Sequence, residues 1–80
     1  MNKIIKRCPF CNADSYIKLD NDQERRYWDY CNGMGYIQTQ LPEFNACERE
    51  FLKTGMCLKC QEEIFGNGKS DKVKEYKNVK

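Results

Sequence analysis

Cys8-Pro9-Phe10-Cys11 and Cys57-Leu58-Lys59-Cys60 repeat one spacing near the two ends of the foldable part of an 80-residue chain. Two Cys-x-x-Cys pairs carry four soft thiolates on two tight turns, the arrangement that wraps one tetrahedral metal ion. A chain this short needs such a device. At this size a single core rarely supplies more than about 3–5 kcal/mol of net stability. Tying Cys11 to Cys57 restricts the unfolded chain by about 4 kcal/mol on the loop-entropy estimate used for cross-links. Structural zinc binding releases roughly 10–16 kcal/mol. The expectation is one structural Zn²⁺ per chain on Cys8, Cys11, Cys57 and Cys60. With four protein ligands, no position is left for water or substrate.

Disulfides are the other use of six cysteines, and the compartment decides between them. The start, Met1-Asn2-Lys3-Ile4-Ile5-Lys6-Arg7, has no apolar core region and no small-residue cleavage site, so nothing in it reads as a secretion signal. No stretch approaches the roughly 20 apolar residues that span a bilayer. A cytoplasmic protein with reduced thiols is expected, with no membrane partner.

The chain has no histidine. That removes mixed Cys/His fingers, His-bearing catalytic zinc sites and every His-based triad. The two serines, Ser15 and Ser70, have no plausible base to activate them. The expectation is a non-enzymatic protein with no small-molecule substrate.

The net charge of +2 divides unevenly. Residues 66–80 carry Lys69, Lys72, Lys74, Lys77 and Lys80 against Asp71 and Glu75, a net +3, so the rest of the chain sums to −1. Four thiolates on one Zn²⁺ make that part more acidic by about two charges. Such a core suits a phosphate backbone poorly.

Residues 3–7 and 16–19 read as strands, with Ile17 and Leu19 sharing a face. Asp20-Asn21-Asp22 is a turn signal. Arg25-Arg26-Tyr27-Trp28-Asp29-Tyr30-Cys31 alternates well enough for a strand that forms a hairpin with residues 16–19, though a helix fits too. Residues 36–39 read as extended, ending before Pro42. The clearest helix starts at Asn45, with Glu48 completing a capping box, and stops at Gly55. Residues 61–65 read as a short helical turn leaving the metal. Residues 67–80 hold too little apolar surface to order themselves. The expected domain is therefore 1–66, a small α+β zinc-stapled fold of β-hairpins, one main helix and two Cys-x-x-Cys knuckles, with a flexible lysine-rich tail over 67–80.

Cys31 and Cys47 remain. Both suit buried small hydrophobes. Cys31 is also an alternative ligand, because Cys31-Asn32-Gly33-Met34-Gly35 resembles the second half of the Cys-x-x-Cys-x-Gly-x-Gly repeat of DnaJ-type zinc centres, although Trp28 stands where that repeat has its first cysteine. Cys8-Pro9-Phe10-Cys11 resembles the active dithiol of glutaredoxins. That chemistry needs a helix N-terminus after the motif, and Asn12-Ala13-Asp14-Ser15-Tyr16 reads as turn and strand instead.

Trp28, Gly33, Ile37-Gln38, Leu41-Pro42, Arg49-Glu50-Phe51-Leu52-Lys53-Thr54-Gly55 and Cys57-Leu58-Lys59-Cys60-Gln61-Glu62 form a longer pattern. Over roughly residues 8–65 the chain is similar to small zinc-ribbon-like proteins of tailed bacteriophages. It departs from them in its longer aromatic segment and in Cys31 and Cys47. That family has no settled activity. The resemblance implies origin and fold, with a setting in the cytoplasm of an infected bacterium.

Two functions follow as expectations. In the first, the domain binds a protein, such as a host factor it inhibits or redirects, through Arg25, Arg26, Tyr27, Trp28, Tyr30 and Tyr36. In the second, it is a nucleic-acid-binding regulator in which the same aromatic and arginine residues stack bases and the lysine tail contacts phosphates.

Overall fold

The computed structural model describes residues 2–66 and 68–76. Among them lie a three-stranded antiparallel sheet and four helices, an α+β fold.

Strands β1 (Asn2–Arg7) and β2 (Asp14–Leu19) pair antiparallel, from Asn2 opposite Leu19 to Arg7 opposite Asp14. The expected strands are present, but they pair with each other, and the first cysteine pair is the turn between them. Ser15, Ile17 and Leu19 alternate onto the buried face of β2, the period-2 pattern of a half-buried strand.

The expected strand at residues 25–31 is instead the body of a helix, α1 (Asn21–Cys31). The Asp20-Asn21-Asp22 signal is a helix start rather than a hairpin turn. Asp20 caps through its side chain to the Gln23 backbone N–H at 2.8 Å, and Gln23 returns the bond to Asp20 N at 3.1 Å. Asp22 then pairs with Arg25 at 3.1 Å and Arg26 at 3.0 Å, one turn on. A local capping box and i,i+3/i+4 pairs outweigh the weak strand alternation. Residues 36–39, expected extended, are also helical in part: α2 is Ile37–Gln40, which turns Ile37 into the core.

Helix α3 (Ala46–Thr54) has the expected capping box, Asn45 with Glu48, and ends at Gly55 in the left-handed conformation (φ 83°). Cys47, Glu48, Phe51 and Leu52 are its buried residues, while Ala46 is exposed. Helix α4 (Leu58–Phe65) begins inside the second cysteine pair and ends at left-handed Gly66. The expected turn over 61–65 is the second half of this longer helix.

The chain beyond Gly66 is a further correction for the described residues. Residues 68–76 fold back, and β3 (Lys74–Glu75) joins the sheet beside β2, Ser15 opposite Glu75 and Tyr16 opposite Lys74. Val73 is buried in the core with Ile17, Leu19, Tyr27, Phe44 and Phe51. One well-placed β-branched residue and a set of hydrogen bonds replace the apolar run that composition lacks. The remainder of the expected tail, Asn67 and residues 77–80, lies outside the described residues.

Arg26 joins the elements on the other side. Its guanidinium donates to both Glu43 carboxylate oxygens at 2.7 Å and to the Gln40 carbonyl at 2.7 Å. Hydrogen bonding to Arg26, working against burial, holds the Glu43 carboxyl down to about 2. This depressed value stabilises the fold above the ordinary carboxyl range, and the benefit fades as pH falls from about 4.5 toward 2. Glu43 is 38% exposed, so solvent screening limits the pair to about 1 kcal/mol. Glu43→Gln is expected to cost that amount in urea denaturation at pH 7. The gap to wild type narrows as pH drops below about 4.5.

Candidate metal centre

The first knuckle is built by the β1–β2 turn. Cys8 N–H donates to the Ala13 carbonyl and Asn12 N–H to the Cys8 carbonyl, both at 2.9 Å, with Asn12 left-handed at φ 62°. Asparagine tolerates that conformation better than most residues. Arg7 and Asp14 close the loop with an ion pair at 3.2 Å. A strand follows this motif, as the sequence indicated.

The second knuckle is the first turn of α4. Cys57 is the N-cap, and its Sγ accepts the Cys60 backbone N–H at 3.4 Å. Both thiols therefore sit where the positive end of the helix favours negative charge.

One glycine sets the two knuckles opposite each other. A Cβ on Gly55 would lie 2.9 Å from the Arg7 carbonyl oxygen and 3.2 Å from the Lys6 Cβ. The end of α3 thus abuts the last residue of β1, and Cys57 follows two residues later against Cys8. Gly66 is also left-handed, but its Cβ position is open, which makes it a control. Gly66→Ala is expected to cost only the left-handed strain, about 1–2 kcal/mol. Gly55→Ala adds a backbone clash at the candidate metal site, and should weaken metal affinity at least tenfold more than Gly66→Ala in a chelator competition. Equal affinities for the two variants would refute this spacing role.

Cys8, Cys11, Cys57 and Cys60 converge, with all four sulfurs within 4.8 Å of one another and Cys11 Sγ 3.5 Å from Cys57 Sγ. Sulfurs at about 2.3 Å from a tetrahedral zinc stand roughly 3.8 Å apart, so the residues fit such an ion. Among the described residues this is the only His/Cys/Asp/Glu group with metal-holding geometry, and Cys31 is not part of it. The metal identity is not set by this geometry alone, since all-thiolate tetrahedra suit zinc and iron alike.

The surroundings favour anionic sulfur at Cys8. Burial opposes ionisation, but hydrogen bonds from the backbone at Cys57, Cys11 and Phe10 and from the Cys60 side chain outweigh it and pull the thiol down to about 6. Hydrogen bonding to Cys57, with burial, pushes Cys60 up, and burial pushes Cys57 up. A divalent cation removes this conflict by letting all four ionise.

No protein family, curated protein or solved structure matches this chain. Its function must be read from its own residues.

Cys47 is buried on α3, and its thiol is pushed up to about 11 by burial and the Glu48 charge. It is a packed thiol, as expected. Cys31 is exposed at the end of α1. The expected partner residues separate in the same way. Tyr27 is buried in the core, Tyr30 packs against it half-buried, and Arg26 is committed to Glu43. Tyr27 is therefore withdrawn from the contact surface, because a helix turns alternate neighbours to different sides. Arg25, Trp28 and Tyr36 stay exposed, the last at 74%.

Gln61 was missed. It is fully buried, and its Nε2 donates at 3.1 Å to both the Cys47 and Met56 carbonyls, tying α4 to α3 and to the link between the knuckles. Its place directly after Cys60 was the available signal. No helix among the described residues is long and apolar enough to cross a membrane.

Proposed function

We propose that this chain is a zinc-stapled, zinc-ribbon-like domain that acts without catalysis by binding a protein partner. The convergence of Cys8, Cys11, Cys57 and Cys60 supports the metal-stapled part of this reading. All four ligands come from the protein, so the metal holds the β1–β2 hairpin to α4 and offers no reactive position. Zinc is favoured over redox-active metals by a soft, closed tetrahedral site that serves to fold the chain. The likeness of Arg49 to Gly55 and Cys57 to Glu62 to phage zinc-ribbon-like proteins supports a phage-type module directed at a host factor in a bacterial cytoplasm.

The contact surface we favour is the exposed remainder of the aromatic segment, Trp28 and Tyr36 with Arg25. Exposed large aromatics are the residues that anchor interfaces. Nucleic acid is the less favoured partner, because Arg26 is committed to Glu43 and Arg25 is then the one arginine of the segment left exposed.

The purified protein is expected to hold one zinc per chain by elemental analysis and to retain a stoichiometric protein partner in a pulldown from bacterial lysate. Trp28→Ala with Tyr36→Ala should release the partner and keep the zinc. Recovery of DNA or RNA alone, with affinity falling steeply as salt rises, would turn the reading to nucleic acid.

A further inference from the structure

We propose that Cys11 is a site of oxidation by hydroperoxides, and that its oxidation expels the metal while leaving the two knuckles covalently joined. This rests on the zinc reading above. Three observations carry it. The four ligands are unequally sheltered: Cys8 is fully buried, Cys57 and Cys60 are buried, and Cys11 is exposed. A solvent-open cavity of about 650 Å³ lies between α4 and the β2–β3 side of the sheet, and it is lined by Cys11, Cys57 and Cys60 but not by Cys8. Finally, Cys11 Sγ lies 3.5 Å from Cys57 Sγ, across the junction between the hairpin and α4.

A thiolate on zinc keeps lone pairs, and exposure selects which one reacts. The Cys11 sulfur attacks one oxygen of the peroxide ROOH. An S–O bond forms, the O–O bond breaks, and RO⁻ leaves to be protonated by water. Lys59 and Lys74 line the same cavity together with Glu63 and Glu75, and its opening lets water reach the departing anion. Cys11 is now a sulfenic acid, oxidised by two electrons, and the peroxide has been reduced to the alcohol, or to water when R is hydrogen. The Cys57 thiolate attacks the Cys11 sulfur, forming the S–S bond and expelling hydroxide, which takes a proton from solvent. In sum, two thiolates, one hydroperoxide and two protons give a disulfide, ROH and water.

Only Cys8 and Cys60 then remain as ligands, too few to hold a structural ion. The Cys11–Cys57 bond closes the loop that the metal had closed, so the oxidised chain keeps its main long-range link. Oxidation changes metal content while the connection between hairpin and helix survives. Cys31 is exposed as well, but it holds no metal and its oxidation releases none.

The test uses the full-length zinc-loaded protein carrying Cys31→Ser, titrated with hydrogen peroxide in the presence of a chromogenic zinc chelator. One zinc should appear per peroxide consumed, and peptide mapping should find a Cys11–Cys57 disulfide. Dimedone added at early times should label Cys11 in preference to Cys8, Cys57 and Cys60, a result that needs no ligand variant to fold. The proposal is overturned if peroxide leaves the zinc bound, if the first label falls on Cys8, Cys57 or Cys60, or if zinc is released with no Cys11–Cys57 disulfide formed. A protein that folds with no zinc at all defeats the zinc reading instead, so the two failures are told apart by elemental analysis before peroxide is added.

Discussion

Stripping zinc with a strong chelator at neutral pH is expected to unfold this protein, and restoring one equivalent is expected to refold it. The magnitudes leave little room for a stable apo form. Among the described residues the main core holds nine buried side chains, with Cys8, Met56, Cys57 and Cys60 in a separate cluster at the candidate metal site. A core of this size supplies about 3–5 kcal/mol of net stability, against roughly 10–16 kcal/mol from structural zinc. Without the ion, hydrogen bonds favour the Cys8 anion, while burial pushes the Cys57 thiol up and hydrogen bonding to Cys57 with burial pushes Cys60 up. Near-UV circular dichroism from Tyr27 and Trp28, whose rings lie 5.1 Å apart, should collapse on chelation. Cys8→Ser should do the same without a chelator. Cys31→Ser should leave both signal and zinc content within error of wild type. An apo protein with native near-UV signal, or zinc lost from Cys31→Ser, would overturn the ligand assignment. Acid should act like the chelator, because metal binding releases thiol protons and affinity therefore falls as pH falls.

Most of the metal centre was legible because it is written in local spacing. Cys-x-x-Cys fixes two ligands on one turn wherever the pair stands, and Asn45, Glu48 and Gly55 mark the ends of α3 by capping chemistry that needs only neighbours. The errors fall where two local patterns compete or where the deciding contact is distant. In residues 20–31 the same residues carry a strand alternation and an Asp20/Gln23 capping box, and the capping box prevails because its bonds form within the segment itself. The position of Gly55 against Arg7 and the bond from Gln61 to the Cys47 carbonyl join residues far apart in the chain, and no periodicity announces them. The aromatic segment shows the same limit. Its residue types suggested one surface, but helical geometry puts Tyr27 inside and leaves Trp28 outside.

The returning segment gives the second large effect. A chain ending at Lys69 is expected to lose about 3 kcal/mol of stability relative to the full chain. Burying a valine side chain is worth about 1.5–3 kcal/mol, and Val73 is 4% exposed. The Ser70 hydroxyl donates to the Glu48 carboxylate at 2.6 Å and accepts the Lys72 and Val73 backbone N–H groups at 3.0 and 3.3 Å. Cutting the chain there removes a partner from a buried carboxylate, which costs more than a neutral hydrogen bond. Tyr76 N–H to the Asp14 carbonyl at 2.9 Å and the edge-on contact of Tyr16 with Tyr76 would go as well. Part of this loss is offset by the chain entropy no longer spent on ordering the segment, which keeps the figure near 3 rather than above it. Val73→Asp in the full-length chain should produce a similar loss, since it puts an unpaired charge beside Ile17 and Phe51 in the core. Urea denaturation of the zinc-loaded proteins measures both. If the truncated chain is as stable as the full one, the segment does not contribute to the fold. Zinc content should stay at one per chain in both variants, because Cys8 and Cys11 lie on the β1–β2 turn and Cys57 and Cys60 at the start of α4, not on the returning segment.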